Sequence, residues 1–241
     1  MAGFSRYRDI LRLFDPAQPA WTVPEISERL HVPASTVYRT VRELTAASFL
    51  EPSNAASYRL GSAFIEYDRL LRLTDPLMQA AGPFLDDIVM QSGIPCIALL
   101  ARLYNGEVMC VADVAGPDTD FKSSYERGRP MPLTRGATSR AILASLPART
   151  LGKLVGPRDK SAALRDELIE IRRNGYCIVT SEIDAGLSGI AAPVALPERS
   201  IFASISLAVR NDDLDDNRRR RLALLVMSAA GLIDEALKSS G

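Results

Sequence analysis

The chain has 241 residues and carries 29 lysines and arginines against 29 aspartates and glutamates, so its formal net charge is zero. A hydrophobic fraction of 47% and a charged fraction of 24% belong to a folded chain of one large or two small domains, which excludes wholesale disorder and a histone-like coat of positive charge. A single histidine, His31, excludes sites needing two imidazole ligands, and the cysteines Cys96, Cys110 and Cys177 lack the CxxC spacing of zinc ribbons and thioredoxin-like motifs.

Three short helical patterns open the chain. The first runs from about Ser5 to Phe14 and is ended by Asp15-Pro16 and Pro19. The second starts at Thr22-Val23-Pro24-Glu25. Thr22 can cap it, Glu25 three residues on completes a reciprocal capping box, and Pro24 sits where its missing N–H costs little. Ile26 and Leu30 face inward, and the helix stops near His31-Val32. The third begins at about Pro33-Ala34, with Val37, Val41 and Leu44 forming one apolar stripe. Ser35, Thr36, Tyr38, Arg39 and Arg42 lie off that stripe.

Two helices joined by a short turn, the second polar near its N-terminus, describe a helix-turn-helix whose second helix enters the major groove. Serine and threonine reach phosphates or bases there, and arginine forks onto guanine. Phe49-Leu50-Glu51, the polar turn Pro52 to Ala56, and Ser57-Tyr58-Arg59-Leu60 then read as a β-wing, with Arg59 placed for the sugar-phosphate backbone. Charge does not decide between this reading and a protein-interaction module: residues 1–60 hold seven arginines against six carboxylates. The order of elements carries it. His31 lies in the inter-helix turn and reads as a packing or backbone-contact residue, because the local pattern places no catalytic partner beside it.

Ser62 can cap a further helix to about Leu73, and the break near Thr74 is a natural domain boundary. Asp75-Pro76 starts the next helix, in which Pro83 predicts a kink or a fresh turn and Gly93 a C-terminal stop. Cys96–Arg102 and Val108–Val114 read as strands of a hairpin turned at Asn105-Gly106. A long polar loop, Ala115 to Pro132, precedes helical segments at about Ala137–Leu146, Ala148–Val155 and Ala162–Asn174. Strands follow at about Cys177–Ser181, Ser188–Leu196 and Ile201–Val209, and a helix from about Leu214 to Lys238 closes the chain. Strand pairs flanking a helical block indicate an α+β sandwich of antiparallel sheet and helices. The run Arg218-Arg219-Arg220-Arg221 follows four aspartates and reads as a solvated, self-paired helix start.

The residues Pro33-Ala34-Ser35-Thr36-Val37-Tyr38-Arg39 and the wing closure Tyr58-Arg59-Leu60-Gly61 resemble the isocitrate-lyase-regulator (IclR) family of bacterial transcription factors. Three stretches of the second half extend the resemblance over nearly the whole chain: Pro132 to Ala141, Ile190-Ala191-Ala192-Pro193-Val194, and Ala203 to Ala208. It implies a winged helix-turn-helix domain at 1–61, a linker helix at 62–74, and a GAF/PAS-like effector-binding domain at 75–241 with antiparallel sheet flanked by helices. It also implies a homodimer or dimer of dimers, suited to palindromic operators.

By the same resemblance the effector site gathers Gly136, Ser139, Glu182, Gly189, Ser206 and Ala208. Ser139 stands where the family has a glycine, Gly189 where cysteine is usual, and Ala208 in place of a serine, whereas Ser206 retains one. The helix start around Gly136-Ala137 offers free N–H groups for a carboxylate. With Gly189 and Ala208 the pocket is expected to be roomier and less polar, so the effector is expected to be a larger, even aromatic, organic acid. Ser204 and Ser206 can equally be buried serines bonded to backbone; strand alternation puts Phe202, Ser204, Ser206 and Ala208 on one face.

The function expected is a ligand-responsive regulator of a catabolic operon that binds a double-stranded DNA operator through Ser35, Thr36, Tyr38, Arg39, Arg42 and Arg59. The rival is a small-molecule-converting enzyme with an accessory winged helix, using Cys177 or Ser206 as nucleophile; the histidine's place in the other domain speaks against it. Dinucleotide and P-loop motifs are missing, and no cofactor, catalytic residue or metal site is expected. No run of ~18 apolar residues and no signal-peptide core is present, so the expected location is the cytoplasm, with no membrane partner.

Overall fold

A computed structural model describes residues 3–54, 56–155 and 162–239. The chain divides into two compact units, with the boundary between Thr74 and Asp75. No helix among the described residues is long and apolar enough to cross a membrane.

The first unit holds α1 (Gly3–Leu11), β1 (Trp21–Thr22), α2 (Val23–Leu30), α3 (Ala34–Ala46), β2 (Leu50–Pro52), β3 (Ser57–Leu60) and α4 (Ala63–Thr74). The capping box of α2 forms: Thr22 Oγ1 accepts from the Glu25 N–H, and the Glu25 carboxylate accepts from the Thr22 N–H at 2.7 Å. These hydrogen bonds hold the Glu25 carboxyl below the usual range. His31 ends the helix in the left-handed region at φ 54°, so the lone histidine works as a backbone turn.

Ile26, Val37, Val41, Leu44 and Leu50 form the core with Ile10 and Trp21. A two-residue strand was not predicted: Trp21 pairs with Tyr58, so the wing is a three-stranded sheet in the order β1-β3-β2. Only the tertiary fit of Trp21, whose indole donates to the Leu13 carbonyl, marks this strand. Ala55 of the expected wing turn lies outside the described residues. Phe49 receives the start of α4, edge-on to Phe64 and stacked with Tyr67.

The second unit is a six-stranded antiparallel sheet in the order β6-β5-β4-β9-β8-β7. Its strands are β4 (Cys96–Tyr104), β5 (Glu107–Ala115), β6 (Pro130–Met131), β7 (Cys177–Thr180), β8 (Leu187–Leu196) and β9 (Ile201–Arg210). The β4–β5 turn has Asn105 and Gly106 at positive φ, as the Asn-Gly signal requires. One face packs on α5 (Pro76–Ser92) and α9 (Asp216–Ser239), burying Leu77, Leu85 and Ile88 against Ile190, Ile205 and Leu222. Each such side chain contributes about 1.5–3 kcal/mol on burial. The other face packs on α6 (Ala137–Ser145), against which α8 (Ala162–Asn174) rests in turn, with α7 (Ala148–Leu154) between them in sequence.

Two expectations meet the structure. Pro83 starts no fresh turn: it lies inside α5, which runs to Ser92, on the exposed side while Ala81, Leu85 and Ile88 pack on the sheet. Pro130-Met131, expected as loop, forms the short edge strand β6 on β5. The arginine run is satisfied differently from the expected i to i+4 pairs. Arg218 engages Asp215 and the Asp213 carbonyl, whereas Arg221 donates to the Gln91 and Ser92 carbonyls and closes the C-terminus of α5.

Candidate DNA-reading surface and effector cavity

The turn between α2 and α3 is short, and Pro33 sets the start of α3. The apolar stripe turns inward, which leaves Ser35, Tyr38, Arg39 and Arg42 exposed and Thr36 half-buried on one outward surface. Neither Arg39 nor Arg42 forms an ion pair among the described residues. Thr40, by contrast, is buried and bonds back to the Thr36 carbonyl. Arg59 on the wing is exposed but rests on Glu51 at 3.4 Å, and the other Glu51 oxygen accepts from the Ser62 N–H. Tyr7 of α1 donates to Glu43 of α3, anchoring α3 from behind.

In the second unit the polar groups turn on each other. Helix α6 starts at Gly136 (φ 80°, ψ 156°), a conformation open to glycine. A Cβ there would stand 2.8 Å from Ile183 and 2.9 Å from the Tyr125 hydroxyl. Glu182, in the β7–β8 loop, accepts from the Gly136 N–H at 3.0 Å and from Arg140 at 2.7 Å. Arg140 also pairs with Glu167 at 3.1 Å, and Arg135 donates to the Glu182 carbonyl. A carboxylate of the chain itself therefore occupies the first N–H of the helix. The Tyr125 hydroxyl donates to the Arg135 carbonyl and lies 2.9 Å from Ser139 Oγ. Burial pushes the Tyr125 phenol up to about 12, against the hydrogen bonds to Ser139, so it is protonated at neutral pH. Ser206 Oγ lies 2.9 Å from Thr138 Oγ1, and Ser204 donates to the Thr138 carbonyl.

Between α6, the sheet and the β7–β8 loop lies a cavity of about 30 Å³. Gly136, Glu182, Gly189 and Ala208 line it, together with Leu99, Tyr125, Thr138 and Ile183. Ser139 and Ser206 are fully buried behind its wall, each paired with a neighbouring hydroxyl. A Cβ on Gly189 would stand 3.2 Å from Ala137 Cβ, a tight contact, so α6 packs closely over the glycine. Residues that the sequence reading missed are Tyr125, Thr138, Ile183 and Asp184. Their partners stand tens of residues away, and no local pattern announces them.

Cys177 and Ser206 were the candidate nucleophiles. Burial pushes the Cys177 thiol up to about 12, Ser206 faces only Thr138, and this unit contains no imidazole.

A winged helix-turn-helix joined to a sheet-and-helix unit with an internal cavity is the architecture of a one-component regulator. Residues 5–53 match the IclR helix-turn-helix domain, and residues 73–235 match the C-terminal domain of bacterial IclR transcriptional regulators. The chain belongs to the IclR family: it is a transcriptional regulator with a DNA-binding helix-turn-helix and a ligand-binding C-terminal domain. It is 26% identical over 223 residues to the HTH-type transcriptional regulator KipR of Bacillus subtilis, covering 88% of each chain. It is 22% identical to the Pca regulon regulatory protein of Pseudomonas putida, covering 86% of this chain and 74% of that one. Among solved structures it is similar to an IclR homologue from Microbacterium hydrocarbonoxydans complexed with 4-hydroxybenzoate. That match has a TM-score of 0.78 and 22% identity, covering 98% of this chain and 99% of that one. A putative IclR regulator from Silicibacter matches with a TM-score of 0.82 at 20% identity, covering 97% and 95%.

Proposed function

We propose that the protein controls a catabolic operon by binding a palindromic operator as a homo-oligomer, with α3 in the major groove and an organic acid, aromatic in the favoured reading, as effector. The observation that carries the reading is the outward surface of α3. It presents two arginines without ion pairs among the described residues, next to Ser35, Thr36 and Tyr38, where a groove-binding helix needs base and phosphate contacts. Arg59 joins them from the wing once it leaves Glu51. Self-association is supported by α4, which exposes Ile65, Leu71 and Leu73 in a twelve-residue helix.

The acid is proposed to bind at the start of α6, where Ala137 and Thr138 line the cavity and a helix N-terminus favours an anion, while Glu182 already takes the Gly136 N–H. The aromatic class rests on the relative solved with 4-hydroxybenzoate and on apolar walls at Leu99, Ile183 and Ala208. The cavity must widen to take such a ligand, so binding and domain rearrangement are one equilibrium, a population shift between arrangements of the two DNA-binding domains. Regulation rather than catalysis fits the family, and the domains are proposed at 1–61, 62–74 and 75–241 in a cytoplasmic protein.

The test selects a duplex from a random pool with the full-length protein, then titrates benzoate, 4-hydroxybenzoate, glyoxylate and pyruvate into the complex. The reading expects selection of a two-fold symmetric site and a response led by an aromatic acid. Glyoxylate or pyruvate outcompeting every aromatic acid overturns the effector class, failure to select any duplex overturns the DNA reading, and turnover of an acid revives the enzyme.

A further inference from the structure

Two of the lining residues, Ser123 and Tyr125, belong to the segment Asp120 to Tyr125 between β5 and β6, which is tied down at three points. At one end Arg210 pairs with Asp120 at 2.5 Å and lies over the Phe121 ring, 5.4 Å from its centroid. At the other, Tyr125 is held by the Arg135 carbonyl and Ser139. In the middle sits Asp184 of the β7–β8 loop. One carboxylate oxygen accepts from the Ser124 N–H at 2.9 Å and from Ser123 Oγ at 3.4 Å, and the other accepts from Ser124 Oγ. Ser123 in turn accepts from the Tyr125 N–H at 3.2 Å.

The three ties differ in kind: Tyr125 is a buried anchor within its own side of the cavity, and of the other two only Asp184 reaches from the β7–β8 loop. The Arg210–Asp120 pair is exposed and worth little in water. The Asp184 cluster is partly buried and charge-assisted, and it joins the segment directly to the loop that carries Glu182 and Ile183 into the cavity wall. The wall residues Glu182 and Ile183 and the mouth residues Ser123 and Tyr125 thus move apart only if Asp184 lets go.

We propose that Asp184 is the latch of the effector cavity: it fastens the Asp120–Tyr125 segment across the mouth, and breaking its bonds to Ser123 and Ser124 is the step that opens the cavity. The latch sets effector affinity and entry rate without touching the effector. This rests on the effector reading above for its biological meaning, but its mechanics do not require the effector's identity.

The test reads opening directly. Ala208 lines the cavity and is 6% exposed, so Ala208→Cys places a thiol whose labelling rate rises when the cavity opens further. The native thiols of Cys96 and Cys110 are fully buried in the sheet and report global unfolding in the same sample. Full-length protein is pulsed with methyl methanethiosulfonate and each thiol is followed by peptide mass.

Adding Asp184→Ala is expected to speed labelling at position 208 at least tenfold while labelling of Cys96 and Cys110 is unchanged. Asp184→Asn, which still accepts from the Ser124 N–H, is expected to fall between. The double change Ser123→Ala and Ser124→Ala is expected to give a rise of its own, because it removes the hydroxyl partners of the same carboxylate. Equal labelling in wild-type and Asp184→Ala backgrounds overturns the latch, as does a rise matched at Cys96 and Cys110. Because Ala208→Cys alters the proposed site itself, the effector reading is judged on the wild-type protein: no response of its DNA complex to any of the four acids overturns that reading and leaves the latch standing.

Discussion

The outward surface of α3 and the cavity under α6 use the same side-chain types to opposite ends. On α3, serine, threonine, tyrosine and arginine point to solvent, and the arginines carry no ion pair among the described residues. Around the cavity, Thr138, Ser139, Ser206, Tyr125 and Arg140 are bonded to one another or to chain carboxylates and carbonyls. A surface that meets a large polyanion can leave its donors to water, where they cost nothing. A buried site cannot, because each unmet polar group costs about 1–3 kcal/mol. The polar groups of the buried region therefore satisfy one another.

Five measurements break or sharpen this contrast, from the largest expected effect to the smallest. Gly136→Ala puts a side chain at φ 80° against Ile183 and the Tyr125 hydroxyl. It is expected to cost the second unit roughly 2–4 kcal/mol, from backbone strain plus overpacking, in urea denaturation. A neutral result would mean that the helix start is looser than the contacts imply. Arg39→Ala is expected to weaken operator binding by about 1–3 kcal/mol with no change in stability, and to relax specificity at one base pair. Equal loss on all sequences with a shallower salt slope marks a phosphate contact instead.

Ser206→Ala removes one member of a buried hydroxyl pair and is expected to cost about 1–2 kcal/mol of stability, read by denaturation, with effector affinity little changed because Ser206 lies behind the cavity wall. An affinity loss without a stability loss would show that Ser206 faces the ligand. Thr22→Ala is expected to cost about 1 kcal/mol of α2 stability, visible in amide exchange. The same capping box gives a pH dependence. Hydrogen bonds from Thr22 lower the Glu25 carboxyl below its ordinary value, so its contribution is present above that value and is lost as pH falls through the lowered one. Glu25→Gln is expected to abolish this acid weakening of α2.

Sequence reading succeeded where the determining contacts are local. The Thr22–Glu25 box, the Asn105-Gly106 turn and the Asp75 cap of α5 each lie within three residues, and all are present. It failed where partners are distant or the signal is too short. β1 has two residues and exists through pairing with Tyr58. Glu182 meets Gly136, and Asp184 meets Ser124, across separations of 46 and 60 residues. How closely α6 packs over Gly189, with Ala137 Cβ 3.2 Å from where a Cβ would stand, is likewise a distant contact that no local pattern announces. The exposed face of α3 was legible because exposure follows from the apolar stripe alone.

The sheet has a further consequence, for synthesis on the ribosome. Strand β4 is held on one side by its hairpin partner β5 and on the other by β9, with Cys96 opposite Val209. The cavity face therefore lacks its central strand until nearly the whole chain has emerged, whereas the first unit is complete by Thr74. At about 5–20 residues per second, the DNA-reading unit can be folded for several seconds before its sensor exists. During that interval a nascent chain carries a finished reading head with no effector control, and the apolar strand β4, Cys96 to Leu100, waits unpaired on its β9 side as the stretch most in need of a chaperone.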